Sequence, residues 1–590
     1  MVWQKDDKSA YEVFIKKYNI VFLFFLFLFI CLSLRLFYLQ IIVGSKYRKI
    51  SEQQRLYNTC ERAPRGIIYS ADNVVLVENR LDYTALFYRL GREEILLSSN
   101  LKELSKILGK DIKLIKNNKS NKVVKLVNNL TIYDMFKIQE KKQNLKYINI
   151  VGETHRTYYY PEALCHITGY VGEVGTNELL TPNKYKIGDR VGRGGIEQFY
   201  DKYLKGQDGG WQIEVNARGY YIRAFKYIHP KIGANIYTTI DLKLQIEAYN
   251  LLKNTVTGKG AVVVIDVRTG AIKALVSCPG FNANNISKNF DEYLKDKKLP
   301  LFNRALQALY PPGSIFKIVT LTAALEILNT DHKRTMNCTG SFKLGNRYYS
   351  CWCKSGHGDV NLISAMAQSC NIYFYHLGLK IGVKNLKEYA KKFYFGRETH
   401  IDLPNEKKGF IPDRKWKEQK MKTPWRQGDT VIFSIGQGAL WTTPLQMAYM
   451  MSVVANKGKE YNRPYIVEKI KNFDGKEIYK HKKSIGDIIK LSSNTWNVLH
   501  EALLEVVENG TGKRSKISDI KIAGKTGTAQ NPHGEGHAWF VSYAPADVPE
   551  IAMAVIVENG GSGGSSAAPI GKKIYETYFN MKLENKDKNR

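Results

Sequence analysis

Between residues 18 and 34 the chain carries no charged side chain, and beyond Arg35 the apolar run resumes to Val43. A stretch of that length spans a bilayer as a helix, which satisfies its own backbone hydrogen bonds where no water is present. Arg35 can reach the interface along its aliphatic stem. The rival, a cleaved leader, needs small residues at a cleavage site, and Leu32-Ser33-Leu34-Arg35 lacks them. The segment predicts a retained anchor over residues 18–43 behind a tail at 1–17. Its flanks do not orient it, because Lys5, Lys8, Lys16 and Lys17 precede it while Lys46, Arg48, Lys49 and Arg55 follow.

At 590 residues the chain needs more than one core, so two or more domains are expected. The net charge of +33 favours anionic partners. Its lysines, however, are scattered among Asn and Ile without an Arg-rich groove or aromatic platform, which argues for solvated surface and against nucleic acid. Residues 44–233 mix short alternating runs such as Ile67, Ile68 and Tyr69 with a helix face at Leu101, Leu104, Ile107 and Leu108. They predict an irregular β-rich module, with the Lys–Asn–Lys stretches around residues 116–129 as a surface insertion. From Tyr237 the texture changes to a helix over 242–252, a β-branched strand from Gly260 closed by a turn at Gly270, and a second strand over 271–276. Pro311-Pro312-Gly313 then punctuates a loop before the apolar helical run 315–325, which puts Ser314 near a helix N-terminus. The run Ile551 to Val557 reads as another buried strand, ended by the turn Glu558-Asn559-Gly560-Gly561. Strands at both ends of this part imply one sheet.

Ser314-Ile-Phe-Lys317 places a hydroxyl and an amine three residues apart, on one helix face, where they can share a proton. Serine needs such a base, and a desolvated lysine can supply it. Alone the pattern is weak, since a chain rich in Ser and Lys contains several by chance. Its company is more specific: Ser369-Cys370-Asn371 follows, then Lys525-Thr526-Gly527-Thr528. In this order the three elements resemble the Ser-x-x-Lys, Ser-x-Asn and Lys-Thr-Gly signatures of penicillin-binding proteins and serine β-lactamases.

That resemblance implies that Ser314 is acylated, that Lys317 is its general base, and that Ser369 and Asn371 shuttle protons and hold the peptide amide. Lys525 and Thr526 would bind the donor's terminal carboxylate, Gly527 would let that strand lie against the substrate, and the backbone N–H groups of Ser314 and Thr528 would form the oxyanion hole. The flanks Asn303-Arg304-Ala305, Tyr310 to Gly313, Ile435-Gly-Gln-Gly438, Thr443-Pro444, Trp539-Phe540 and Thr238-Thr-Ile-Asp241 resemble the high-molecular-mass members. Arg65-Gly66-Ile67-Ile68, Gly194-Gly195-Ile196-Glu197 and Val215-Asn216-Ala217-Arg218-Gly219 resemble the pedestal of class B members.

The implied fold is α+β and multidomain: one N-terminal transmembrane helix, an elongated β-rich pedestal at 44–233, a transpeptidase domain at 234–575 and a charged tail at 576–590. The transpeptidase domain would be an antiparallel sheet with helices on both faces. The implied function is a peptidoglycan D,D-transpeptidase that cross-links stem peptides ending in D-Ala-D-Ala through an acyl-serine, without a catalytic cofactor, and is trapped by β-lactams. The segment Trp352 to Gly358 and the Glu558 turn resemble the elongation-specific branch, with the septal branch as runner-up. Two more distant functions compete with cross-linking: hydrolysis, as in a D,D-carboxypeptidase or β-lactamase, and a non-catalytic role as sensor or scaffold. Implied partners are a membrane glycosyltransferase and other elongation-complex proteins. Implied topology is single-pass in the bacterial inner membrane, N-terminus cytoplasmic and catalytic domain outside.

Four of the eight cysteines, Cys338, Cys351, Cys353 and Cys370, cluster with His357 beside the second motif. Thiolate and imidazole suit tetrahedral zinc. Some relatives hold a metal with His, Cys and acidic residues, and the resemblance implies Cys338, Cys351, His357 and Cys370 here, with Cys353 left over. The competing expectation is disulfides, which persist outside the cytoplasm, with His357 capping a turn. Cys31, Cys60, Cys165 and Cys278 read as packing residues.

Overall fold

The computed structural model describes residues 6–48, 56–58, 61–88, 94–109, 123–145, 148–179, 185, 189–215, 221–459, 462–484, 486–532 and 534–588. Lys5, Lys49, Arg55, Cys60, the Lys-rich residues 116–122 and Asn216 to Gly219, all singled out above, lie outside them. The apolar run forms one helix, Asp6–Phe37, continued by a π turn, Tyr38–Ile42. Within the span Glu12–Ile42 the most apolar stretch of 18 residues has a mean hydropathy of 2.8, and 0% of that stretch is buried. The helix is long and apolar enough to cross a membrane, consistent with a single-pass anchor. Cys31 lies exposed on it and is not a packing residue.

The chain divides into two units, Met1–Pro64 with Gly206–Ile232, and Arg65–Lys205 with Gly233–Arg590. The first holds the apolar helix and a three-stranded antiparallel sheet of Leu56–Asn58, Gly210–Val215 and Tyr221–Ile228. In the second, a seven-stranded sheet crosses the boundary expected at residue 233. Val75–Tyr88 pairs with Val123–Leu130, Ile148–Tyr158 and Ile68–Tyr69; Ile68–Tyr69 runs parallel to Asn235–Thr238, which pairs with Val467–Lys471. Residues 123–130 are therefore strand, not surface insertion: Leu126 and Leu130 are buried with Leu104, Ile107 and Leu108 of the helix Glu94–Leu108, and that burial outweighs the polar residues between them.

Two of the sequence blocks meet in this unit. The Glu197 carboxylate, fully buried, accepts from Arg65 Nη2 at 2.6 Å and Arg156 Nε at 2.7 Å, and Arg65 also reaches Asp201 at 2.8 Å. Burial alone would raise the Glu197 carboxyl, but the two guanidinium groups outweigh it and hold it below the ordinary carboxylate range. Removing one partner of such a network leaves an uncompensated buried charge and costs roughly 3 to 5 kcal/mol.

The second sheet is antiparallel throughout, in the order Ile272–Cys278, Gly260–Asp266, Ile551–Val557, His537–Ala544, Ala523–Ala529. Every residue of Gly260–Asp266 and Ile551–Val557 is buried, which explains why they are continuously apolar rather than alternating. Val262, Val264, Met553 and Val555 pack with Leu244, Leu252 and Ile574 of the helices Leu242–Lys253 and Ala568–Lys588. Val263, Ala552, Ala554 and Ile556 face a larger core containing the helices Lys317–Leu328 and Pro444–Ala455. Helices thus cover both faces. The last helix continues through residue 575, where the charged tail was expected to begin, to Lys588.

Candidate active site

Ser314 lies in a 3-10 turn, Gly313–Phe316, and Lys317 begins the α-helix that follows. In a 3-10 turn residues i and i+3 eclipse, which sets Ser314 and Lys317 on one side of the chain. The helix Lys317–Leu328 is apolar around most of its surface because nearly all of it is buried. Lys317 itself is fully buried.

Gly313 occupies left-handed backbone at φ 55°, and a Cβ there would stand 2.8 Å from the Thr528 carbonyl oxygen. Its N–H donates to the Gly436 carbonyl at 2.9 Å. A Cβ on Gly436 would meet the Gly313 oxygen at 2.2 Å. The nucleophile turn is therefore clasped between the strand Ala523–Ala529 and the loop 435–438, and only glycine permits that approach. Gln437 Nε2 ties the loop to the strand by donating to Thr528 O at 3.2 Å.

The second motif meets the first at Lys317. Lys317 Nζ donates to Ser369 O at 2.8 Å, Ser369 Oγ at 3.2 Å and Asn371 Oδ1 at 2.7 Å. Ser369 holds left-handed backbone at φ 54°, a strained state for serine that persists because the helices Leu362–Ala367 and Asn371–Lys392 fix both its neighbours. Burial pushes the Lys317 amine down to about 8, opposed by the thiols of Cys370 and Cys351. An amine at that value is neutral in part near physiological pH and can accept a hydroxyl proton.

The third motif is the edge strand Ala523–Ala529 of the sheet. Lys525 is fully buried, and desolvation with the Lys317 charge drives it well below the ordinary lysine range. Thr526 Oγ1 lies 2.6 Å from Thr511 Oγ1. A Cβ on Gly527 would stand 3.1 Å from both Ile315 Cγ1 and Pro312 O, so the strand hugs the nucleophile turn. All three sequence motifs converge. Thr511 went unnoticed in the sequence, since a lone threonine carries no signal. So did the joining of Arg304 to Glu558: Arg304 Nε donates to Glu558 Oε1 at 2.9 Å, and Tyr310 OH donates to the same oxygen at 2.6 Å. These contacts anchor the approach to Ser314 on the end of the strand Ile551–Val557.

The donor atoms of Cys338, Cys351, His357 and Cys370 lie within 4.8 Å of one another. His357 Nδ1 is 3.4 Å from Cys338 Sγ and 3.6 Å from Cys351 Sγ. The Cys370 thiol hydrogen-bonds to Cys351, which pushes Cys351 below the ordinary thiol range and Cys370 above it. Every described cysteine is a free thiol, so the expected disulfides are not realised in this structure. Asn371 N donates to Cys351 Sγ at 3.3 Å, which joins the cluster to the second motif. Cys353 stands outside the four and donates to Gly356 O.

Serine, buried lysine, Ser-x-Asn corner and Lys-Thr-Gly edge strand around one sheet define an acyl-serine enzyme. Residues 260–576 match the penicillin-binding protein transpeptidase domain and residues 60–238 the penicillin-binding protein dimerisation domain, and the chain belongs to this family. Within it the chain is 32% identical to the peptidoglycan D,D-transpeptidase MrdA of Acinetobacter baumannii, over 94% of this chain and 86% of that one. The structure superposes on Helicobacter pylori penicillin-binding protein 2, solved in complex with MreC, with a TM-score of 0.76 at 28% identity, covering 88% of this chain and 99% of that one. Pseudomonas aeruginosa penicillin-binding protein 2, solved with WCK 5153, gives 0.66 at 29% identity, over 88% of this chain and 96% of that one.

Proposed function

We infer that this chain is the elongation-type peptidoglycan D,D-transpeptidase of its cell, a class B penicillin-binding protein. The observation that carries the reading is Lys317: buried, its pKa lowered, bonded to Ser369 and Asn371, and one turn from Ser314. Ser314 Oγ attacks the carbonyl of the penultimate D-Ala while its proton passes to Lys317. The C–N bond breaks, the proton reaches the departing nitrogen through Lys317 and Ser369, and D-Ala leaves. An amine of a second stem peptide then attacks the ester, gives up its proton by the same route, and restores Ser314. Lys525 and Thr526 hold the donor carboxylate, and the N–H groups of Ser314 and Thr528 receive the oxyanion. Product analysis tests the reading. With a D-Ala-D-Ala donor and an added amine, amide product is expected to dominate; mainly hydrolysed donor would favour a carboxypeptidase.

The apolar helix anchors the chain in the inner membrane with the N-terminus inside and the catalytic domain outside. Partners are a membrane glycosyltransferase and further elongation-complex proteins, in keeping with the MreC complex of one relative and a solved synthase complex that coordinates polymerisation and crosslinking.

Cys338, Cys351, His357 and Cys370 fit a structural zinc. A tetrahedron with metal–sulfur bonds of about 2.3 Å and a metal–nitrogen bond of about 2.0 Å has sulfur–nitrogen edges of about 3.5 Å. The two measured edges are 3.4 and 3.6 Å. The ion would neutralise thiolates beside Lys317 and pin the loop that carries Asn371; it takes no part in acyl transfer. Purified protein is expected to hold one zinc per chain by elemental analysis, and Cys351→Ser none, with a melting temperature lower by several degrees. Metal-free wild type of unchanged melting temperature would dismiss the site.

A further inference from the structure

The helix Ser493–Glu508 ends in a turn, closed where Gly512 N donates to Val506 O at 2.8 Å. Within that turn Thr511 touches two of the three motifs. Its backbone N–H donates at 3.1 Å to the carbonyl of Ala367, which ends the helix Leu362–Ala367 two residues before Ser369. Gly510 permits the approach, since a Cβ there would stand 2.3 Å from the same carbonyl oxygen. Its side chain points the other way along the site: Thr511 Oγ1 lies 2.6 Å from Thr526 Oγ1 on the strand Ala523–Ala529. The backbone contact fixes where the hydroxyl stands, and the hydroxyl meets the third motif.

A hydroxyl brings one proton and two lone pairs. At 2.6 Å the pair shares one proton, so it has two settings. If Thr526 donates to Thr511, it turns only lone pairs toward the site. If Thr511 donates, the Thr526 proton is free, and an oxygen that already accepts is the stronger donor. A carboxylate has acceptors and no proton to give, so it selects the second setting. Among the described residues Thr511 is the one hydrogen-bond partner of Thr526 Oγ1, which makes it the group that decides. Lys525 adds to the demand on that hydroxyl. Burial and the Lys317 charge hold its amine well below the ordinary lysine range, and Nζ already donates to Thr526 O at 3.0 Å.

We propose that Thr511 is a positioning residue for the reaction: by donating its hydroxyl proton to Thr526 Oγ1 it aims the Thr526 proton at the terminal carboxylate of the donor peptide. Thr511 touches no substrate and acts through Thr526. The proposal rests on the D,D-transpeptidase reading above, in which Lys525 and Thr526 hold that carboxylate, and adds the group that sets the direction of the contact.

The test uses the full chain in detergent micelles and two thioester donors, N-benzoyl-D-alanyl-thioglycolic acid, which ends in a carboxylate, and its methyl ester, which does not. Ser314 attacks the thioester carbonyl of either, and the released thiol gives kcat/KM above a Ser314→Ala blank. Wild type is expected to favour the acid about a hundredfold, and Thr511→Val to lower kcat/KM for the acid about tenfold while the ester stays within about twofold. Thr511→Ala should match it, and Thr511→Ser, which keeps the hydroxyl, should restore the acid. In a Thr526→Val background Thr511→Val should cost nothing further, because the effect passes through Thr526. Equal losses on the two donors would mean that Thr511 only shapes the site and would overturn the proposal. So would an acid rate that neither Thr511→Val nor Thr511→Ala moves, or a second full loss on top of Thr526→Val. The underlying reading fails differently. A wild type indifferent to the carboxylate removes Lys525 and Thr526 from its binding, no Ser314-dependent thiol from either donor removes the acyl-serine, and either result takes the proposal with it.

Discussion

Ser314→Ala in the full-length protein is expected to abolish covalent labelling by fluorescent penicillin, a loss on the order of 10⁴-fold or more, with little change in melting temperature. The substitution removes one oxygen from a half-buried side chain and leaves the turn Gly313–Phe316 intact, so the loss is chemical, not structural. One group could stand in. Ser369 Oγ is 3.2 Å from Lys317 Nζ and shares the same base. Peptide mapping of any residual adduct separates the two: label on Ser369 would demote Ser314 from its place, whereas an unlabelled mutant fixes it there.

Lys317→Met is expected to slow penicillin acylation by about 10² to 10⁴-fold, the usual share of a positioned general base. The pH profile gives the sharper readout. Only the neutral amine accepts a proton, and burial sets its pKa at about 8. Wild-type acylation should therefore rise about tenfold per pH unit through the acid range and level off above about pH 8, and the methionine variant should lose that slope. Stability moves little, since removing a desolvated cation is favourable while stranding Ser369 Oγ and Asn371 Oδ1 is not. A variant that keeps the wild-type slope would transfer the role of base elsewhere, with Lys525 the next buried amine.

The candidate site was more legible in the sequence than the architecture. The grouping of Ser314, Lys317, Ser369, Asn371 and Lys525 could be read from the order of their motifs, and that of Cys338, Cys351, His357 and Cys370 from soft donors that are rare and lie close along the chain; the structure brings the members of each group together. The strands at 260–266 and 551–557 were legible from short apolar runs rich in Val and Ile. What stayed hidden depended on pairs far apart in sequence. Nothing local in Val123–Leu130 distinguishes a strand from a Lys-rich loop until Leu104 packs over Leu126. Glu558 looked like a turn residue until Arg304 and Tyr310 reached it.

The seven-stranded sheet sets an order of events during synthesis. Ile68–Tyr69 finds its parallel neighbour only when Asn235–Thr238 has left the ribosome, and that strand gains its other neighbour only with Val467–Lys471. The early-emerging part of the pedestal thus waits, with an open strand edge, for most of the catalytic domain to follow. A ribosome stalled between residues 238 and 467 leaves a half-built sheet with that edge open. Chaperones that shield strand edges would therefore matter to this protein chiefly while it is still being made.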